Sequence, residues 1–255
     1  MKKLLAGLLV FCALGTAAAA GDSGPEESVL PQMLQLEEEP SPSPAPGGIP
    51  PQIQAMVDLA TEEFTRRGGK TLKRSNDYTV WYYGDKTAIG WCAAFTSWCA
   101  VHAGVETLKE NQIAAFVTGD DKDLKYEPLQ AIPDVFMMRE VNVIRCRNSY
   151  ILTERLVDIP KPGYQIFYGR IGGAPTLHTG LVETVRVIAP GIYDITTIEG
   201  NVANRVKRYC IRYTVEPKRK HHNMSAVPAG DRVVQDAQYK LHQPDWYITG
   251  FGRTW

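Results

Sequence analysis

The sequence has few cysteines and no excess of charge of either sign. Five cysteines occur among 255 residues and none of them forms a CxxC pair, so a metal site built from cysteine clusters is not expected. The 28 Lys and Arg residues balance 28 Asp and Glu residues. This balance argues against nucleic acid as the main partner, because proteins that bind nucleic acid usually show a basic excess.

No hydrophobic run is long enough for an ordinary membrane-spanning helix, but the N-terminus has the order of an export signal. Lys2 and Lys3 precede an apolar stretch from residue 4 to about 15, and small residues follow to Ala20, as in secretory signals. The alternatives are a retained anchor, for which about 17 apolar or small residues are few, and a lipid-modified Cys12. We expect residues 1–20 to be removed, which makes the mature protein secreted or cell-wall associated without a membrane span.

Residues 21–52 have the composition of a linker. They include eight prolines and an acidic cluster, which cannot form a packed core. Beyond this segment the chain is mildly basic, with 26 basic and 22 acidic residues from position 51 onward. We therefore expect one folded domain over residues 53–255, acting as a monomer.

Hydrophobic periodicity places helices first and strands second in this domain. Apolar residues at helical spacing predict helices over 53–67 and 92–103, with weaker helical patterns at 109–117 and 128–139. An acidic loop is expected at 119–123. Alternating residues predict antiparallel strands at 164–170, 178–188, 192–199, 206–215 and 246–253. The order of elements indicates an α+β fold.

Cys92 is the candidate nucleophile. It begins the second predicted helix, where unpaired backbone N–H groups and the helix dipole stabilise a thiolate. The alternative is a buried structural cysteine, and Cys99 fits that description better. Among Cys99, Cys146 and Cys210 at most one disulfide can form beside a free Cys92, and the spacing does not choose the pair.

A thiolate enzyme needs a base and a group that orients it. His178, at the start of a predicted strand, is the candidate base, whereas His102 and His242 have no supporting pattern and His221 and His222 follow a basic run in an expected solvated loop. Alternation along the next strand places Thr197, Glu199 and Asn201 on one face. The carboxylate can support an imidazolium and the amide can donate a hydrogen bond to an oxyanion, although Glu-Gly-Asn is also common in turns.

Four segments in this order closely resemble the CHAP family of cysteine- and histidine-dependent amidohydrolases/peptidases. They are WCAAFTSWC at 91–99, HTGLVE at 178–183, TIEGN at 197–201 and ITGFGR at 248–253. The resemblance implies a papain-like α+β fold with catalytic Cys92, His178, Glu199 and Asn201. It also implies a substrate, the amide bonds of bacterial peptidoglycan, at the muramoyl–L-alanine link or within stem and bridge peptides.

Two features of the sequence differ from those of family members. Tyr164 follows Pro162-Gly163 where relatives commonly have Asp, and residues 76–91 have too few clustered oxygen ligands for the calcium loop of some members. We therefore expect no metal and no cofactor. The aromatic residues Tyr83, Trp91 and Trp98, around the helix that begins at Cys92, are expected to contact substrate.

Two alternatives to this enzyme stay open. One is a non-catalytic protein of the same fold that binds cell wall or a partner, which would have no reason to keep Cys92, His178 and Glu199 together. The other is an endopeptidase of the NlpC type, which is expected to have a second histidine or a similar polar group after the base. Glu199-Gly200-Asn201 occupies that region and favours the CHAP assignment.

Overall fold

The computed structural model describes residues 48–84, 90–118, 125–128, 131–174, 176–216 and 222–255. The expected export signal, most of the expected linker, the acidic loop at 119–123 and the basic run at 218–220 lie outside these residues. Helices occupy five segments of the described chain: α1 (Pro51–Arg67), α2 (Asp77–Tyr83), α3 (Cys92–His102), α4 (Glu110–Ile113) and α5 (Val143–Leu152).

The strands of the described chain include both short pairs and a large sheet. They are β1 (Thr107–Leu108), β2 (Ala114–Thr118), β3 (Lys125–Pro128), β4 (Met137–Met138), β5 (Leu156–Val157), β6 (Gln165–Arg170), β7 (His178–Ala189), β8 (Ile192–Glu199), β9 (Lys207–Thr214), β10 (Asn223–Ala226) and β11 (Trp246–Gly252). A seven-stranded antiparallel sheet has the order β10-β9-β8-β7-β6-β11-β5. The α+β class with an antiparallel sheet is thereby confirmed.

The two predicted helices form close to their expected bounds. Helix α1 begins at Pro51, two residues before the predicted start, because proline is well suited to the first helical position. It ends at Gly68, whose φ of 52° is left-handed, as glycine allows. Helix α3 begins at Cys92 and ends at His102, one residue before the predicted end.

The segment between α3 and the sheet differs most from the prediction. The helical pattern at 109–117 yields only the single turn α4, after which the chain enters β2. None of the described residues in the pattern at 128–139 is helical: Pro128 ends β3, and Met137 and Met138 form β4, which pairs in parallel with β1. Pro133 lies inside this segment, and proline disfavours a continuous helix because it lacks an N–H and restricts the preceding residue.

Two short helices were not expected. Asn76 caps α2 by accepting hydrogen bonds from the N–H groups of Tyr78 and Thr79, and Asn142 caps α5 in the same manner. Helices of this length show little hydrophobic periodicity, so the caps are the only local indication of them.

The sheet is buried on both faces near the ends of β7 and β8 that hold His178 and Glu199. Leu181 and Ile198 pack with residues of α1 and α3 in one hydrophobic cluster. Val182 lies on the opposite face and packs with Ile166 and Ile211 in another, as alternation along a strand requires. Helix α3 therefore lies against the strands whose ends hold His178 and Glu199, because β7 and β8 are neighbours in the sheet.

No helix of the described residues is long and apolar enough to cross a membrane.

Candidate active site

The nucleophile predicted from the sequence lies at the N-terminal end of α3. Cys92 is the first residue of the helix and is 6% exposed. Burial raises the pKa of its thiol, but hydrogen bonding and charge from His178 and the N–H groups of Ala93 and Thr179 outweigh burial and lower the pKa below its usual value. The sulfur is therefore placed to exist as a thiolate.

His178 is the first residue of β7 and its imidazole lies beside Cys92. Its Nε2 is 2.8 Å from Oε2 of Glu199, which leaves Nδ1 for the thiol. Burial lowers the pKa of His178, but the interactions with Cys92 and Glu199 prevail and raise it to about 10. A lowered thiol pKa and a raised imidazole pKa together describe a thiolate and imidazolium pair.

Glu199, the last residue of β8, is fully buried and accepts four hydrogen bonds. Its Oε1 accepts from the hydroxyls of Tyr168 at 2.7 Å and Thr197 at 2.6 Å. Its Oε2 is 2.8 Å from Nε2 of His178 and 2.7 Å from Nε2 of His242. Burial raises the pKa of Glu199, yet the two histidines lower it well below its usual value, so this carboxylate stays ionised.

His242, like Tyr168, contacts Glu199 and was missed by the sequence analysis. Its ring is stacked between Tyr209, at a centroid distance of 3.9 Å, and Trp246, at 5.2 Å. Its Nδ1 is buried and has no hydrogen-bond partner among the described residues. His242 is 43 residues from Glu199 in the chain and lies outside any helix or strand, so no periodic pattern could identify it.

Asn201 is brought to the site, but not as a continuation of the strand. The strand ends at Glu199, and Asn201 has a left-handed φ of 64°, a conformation that asparagine adopts more readily than most residues. A Cβ placed on Gly90 would lie 3.4 Å from the amide nitrogen of Asn201. The expectation that Asn201 shares the face of Thr197 and Glu199 is therefore corrected: its amide lies against the chain that leads into Cys92.

Two glycines in the motifs allow the strands and helix to approach one another. A Cβ on Gly180 would lie 2.5 Å from Cγ of Glu199, and a Cβ on Gly200 would lie 2.5 Å from Cβ of Phe95. Real Cβ atoms do not make such short contacts, so the absence of a side chain at both positions is what lets Glu199 reach His178 next to α3.

The aromatic residues expected to contact substrate lie in three different environments. Trp91 is 0% exposed and stacks on Tyr78 in the core, so its ring is not available to a substrate in this conformation. Trp98 is half-buried and stacks on His102 with a centroid distance of 4.2 Å. Tyr83 is half-buried and near enough to Cys92 for burial and the charges of Tyr82 and Cys92 to raise its pKa to about 12.

The prediction that His222 lies in a solvated loop is wrong. His222 is 3% exposed rather than part of a solvated loop, because its Nε2 is 3.0 Å from Oδ1 of Asp158 and its Nδ1 accepts a hydrogen bond from the backbone of Glu216. His221 lies outside the described residues. The backbone of His222 pairs with Ile248 of β11, and its ring is hydrogen-bonded to Asp158 and Glu216 rather than to Cys92, His178 or Glu199.

Four cysteines of the described chain are free thiols: Cys92, Cys99, Cys146 and Cys210. Among the same residues no group of three or more His, Cys, Asp or Glu side chains is arranged to hold a metal ion.

A cavity of about 430 Å³ opens beside the site. His178, Asn201 and His242 contribute to its wall. A substrate in this cavity would therefore lie next to the imidazole that faces Cys92.

Comparison with protein-family models, with curated proteins and with solved structures gave no match for this chain.

Proposed function

We propose that the protein is a secreted cysteine-dependent amidohydrolase or peptidase of papain-like architecture that cleaves amide bonds of bacterial peptidoglycan. The observation that carries the proposal is the interaction of the Cys92 thiol with the His178 imidazole, whose Nε2 is 2.8 Å from the Glu199 carboxylate. A nucleophile, a base and a group that orients the base are the parts that nucleophilic acyl transfer requires. The choice of peptidoglycan comes from the sequence motifs and the expected export signal.

The mechanism follows from the charge state of the pair. The Cys92 thiolate attacks the carbonyl carbon of the scissile amide, and the His178 imidazolium donates its proton to the leaving nitrogen as the C–N bond breaks. The product of this step is a thioester on Cys92 and a free amine. His178, now neutral, accepts a proton from water, whose oxygen attacks the thioester and releases the carboxylic acid.

Negative charge on the substrate oxygen develops near two sets of donors. The N–H of Cys92 belongs to the first turn of α3, where backbone N–H groups have no partner within the helix. The Asn201 amide lies against Gly90, directly before this turn. These donors fit the stabilisation of a tetrahedral oxyanion.

His242 acts in this proposal as a positioning residue. By donating to Oε2 of Glu199 it holds the carboxylate at the oxygen that His178 also contacts. The stacking of Tyr209 and Trp246 on its ring fixes its orientation. The hydrogen bond of His242 goes to the carboxylate that also contacts His178, and the rings of the two histidines are 6.1 Å apart.

The test is digestion of purified peptidoglycan by the full chain, with the Cys92→Ala and Cys99→Ala variants in parallel. Newly formed amines are labelled and the soluble fragments are identified by mass spectrometry. We expect wild type and Cys99→Ala to release fragments and Cys92→Ala to release none while its circular dichroism spectrum is unchanged. Free stem peptides identify an amidase, and cut stems or bridges identify an endopeptidase.

Two results would contradict the proposal. Equal release by Cys92→Ala and wild type would exclude the thiolate mechanism. Absence of release by wild type from walls of several chemotypes would exclude peptidoglycan hydrolysis and favour a protein that only binds.

A further inference from the structure

The cavity beside His178 has a distinctive charge. Its charged wall residues besides the histidines are Lys207 and Lys240, and no Asp or Glu of the described residues lines it. Glu199, the nearest carboxylate in the site, is fully buried behind the two histidines. The cavity therefore presents positive charge next to the atoms that would carry out the reaction.

The two lysines come from different parts of the chain. Lys207 begins β9, and Lys240 lies in the irregular segment before β11. Burial and the charges of Lys240 and Arg205 lower the pKa of Lys207, and the opposing effect of Glu199 is smaller. The folded protein thus brings like charges together at this wall, and an anion in the cavity would relieve their repulsion.

The cavity also offers hydrogen-bond donors of the kind a carboxylate needs. Gln243, which has a side-chain amide, lines it together with Lys207 and Lys240. Charge-assisted hydrogen bonds from lysine to a carboxylate are stronger than those between neutral groups. Because residues with amide and ammonium donors line a space of about 430 Å³, part of a peptide that includes a carboxylate fits there.

We infer that this cavity binds a free carboxylate of the substrate, and that Lys207 and Lys240 select amides with such a carboxylate close to the scissile bond. The inference rests on the proposed function for the identity of the substrate. It adds a preference for substrates with a free carboxylate. Neither the sequence motifs nor the arrangement of Cys92, His178 and Glu199 implies this preference. Within peptidoglycan, the favoured substrates are stem peptides whose carboxylates are free rather than amidated.

The experiment measures binding separately from hydrolysis. The full chain with Cys92→Ala, which cannot form the thioester, is titrated by calorimetry with two muramoyl peptides that differ only in free or amidated stem carboxylates. We expect about tenfold tighter binding of the free form, the size of effect that one charge-assisted contact provides. Adding Lys207→Gln or Lys240→Gln removes most of this preference.

Matched variants separate a local effect from a general one. Lys109→Gln makes the same charge change at an exposed lysine that does not line the cavity, and it should keep the preference. Lys207→Arg keeps the charge and should restore most of what Lys207→Gln loses. If Lys207→Gln impairs folding, Lys240→Gln at an exposed position still tests the inference.

The outcomes distinguish this inference from the proposed function. Equal affinity for the two peptides, or no affinity for either, overturns the carboxylate site even if wild type hydrolyses peptidoglycan. A preference that Lys109→Gln reduces as much as Lys207→Gln also overturns it. A preference lost only in the cavity variants, with no hydrolysis by wild type, supports the carboxylate site and refutes the hydrolase.

Discussion

The two ends of helix α3 place two buried thiols in opposite surroundings. Cys92 and Cys99 are two helical turns apart on one face of the helix, and they are 6% and 0% exposed. At Cys92 the His178 ring and backbone N–H groups overcome burial and lower the pKa. At Cys99 burial and the charge of Glu63 raise the pKa well above its usual value.

The comparison shows what makes a cysteine reactive in this fold. Burial alone disfavours the charged form of any thiol, so a buried thiolate requires compensating charge and donors. The positive end of the helix supplies a part of that compensation within the first turn only. The remainder comes from β7, a strand remote from α3 in the chain, through His178 and the N–H of Thr179.

The first prediction concerns thiol reactivity. At pH 6 to 7 iodoacetamide should alkylate Cys92 at least about 100 times faster than Cys99, since an ordinary thiol with a pKa of about 8.5 is protonated there. Cys92 loses reactivity as the pH falls through its lowered pKa. Mass spectrometry of peptides alkylated over a pH series gives both rates, and a Cys92 rate that rises only above pH 8.5 would refute the thiolate.

The Cys92 thiolate and the His178 imidazolium also predict an alkaline limit of hydrolysis. The imidazolium of His178, with its pKa raised to about 10, is present below that pH and is lost above it. Activity should therefore fall as the pH rises through about 10, because the leaving amine no longer receives a proton. The pH dependence of kcat/KM between pH 5 and 11 measures both limits, and an alkaline decline centred near pH 6.5 would mean that His178 has an ordinary pKa.

The next effect concerns the support of the base. Glu199→Gln removes the negative charge that faces His178 and His242 at 2.8 and 2.7 Å. We expect kcat/KM to fall about 10³-fold, since loss of the orienting carboxylate in a catalytic triad has an effect of about 10⁴. The Cys92 alkylation rate at pH 6 should fall with it. Asp231→Asn, at a carboxylate in the Arg212 ion pair, is the control that should leave both rates unchanged.

A smaller effect is expected from crowding the carboxylate. Gly180→Ala places a Cβ at 2.5 Å from Cγ of Glu199, so the carboxylate must shift away from His178. We expect kcat to fall by roughly 10 to 100-fold, as displacements of about 1 Å do in catalytic sites. Gly173→Ala, where the Cβ would meet only the flexible side chain of Arg170 at 3.3 Å, serves as the control. Unchanged kcat in Gly180→Ala would show that Glu199 tolerates displacement.

The smallest effect is expected at His242. His242→Phe retains a ring between Tyr209 and Trp246 but removes the donor to Glu199. We expect kcat to fall about tenfold, the cost of about one hydrogen bond to a charged group. The alkaline limit should move upward, because the carboxylate then interacts with His178 alone. A fall in activity with an unchanged pH profile would indicate a structural role for His242.

The helices and strands were predictable where apolar residues recur at regular spacing. The strands β6, β7, β8, β9 and β11 lie within one or two residues of the alternating segments, and α1 and α3 match the helical spacing. The described residues of the segment at 128–139 were predicted incorrectly as helical, because Met137 and Met138 instead form β4 and pair with β1. Short elements of this kind are stabilised by contacts with other parts of the chain rather than by their own pattern.

Local chemistry, together with the resemblance of four motifs to the CHAP family, selected Cys92, His178 and Glu199 as a related set. A thiol at a helix start, a histidine at a strand start and a carboxylate at a strand end are all visible in the order of residues. Contacts between distant segments determined the rest, including the attachment of His242 to Glu199, the burial of Trp91 and the pairing of His222 with Asp158. Burial and partner choice at those positions depend on which segments the folded sheet brings together, and periodicity along one segment contains no information about them.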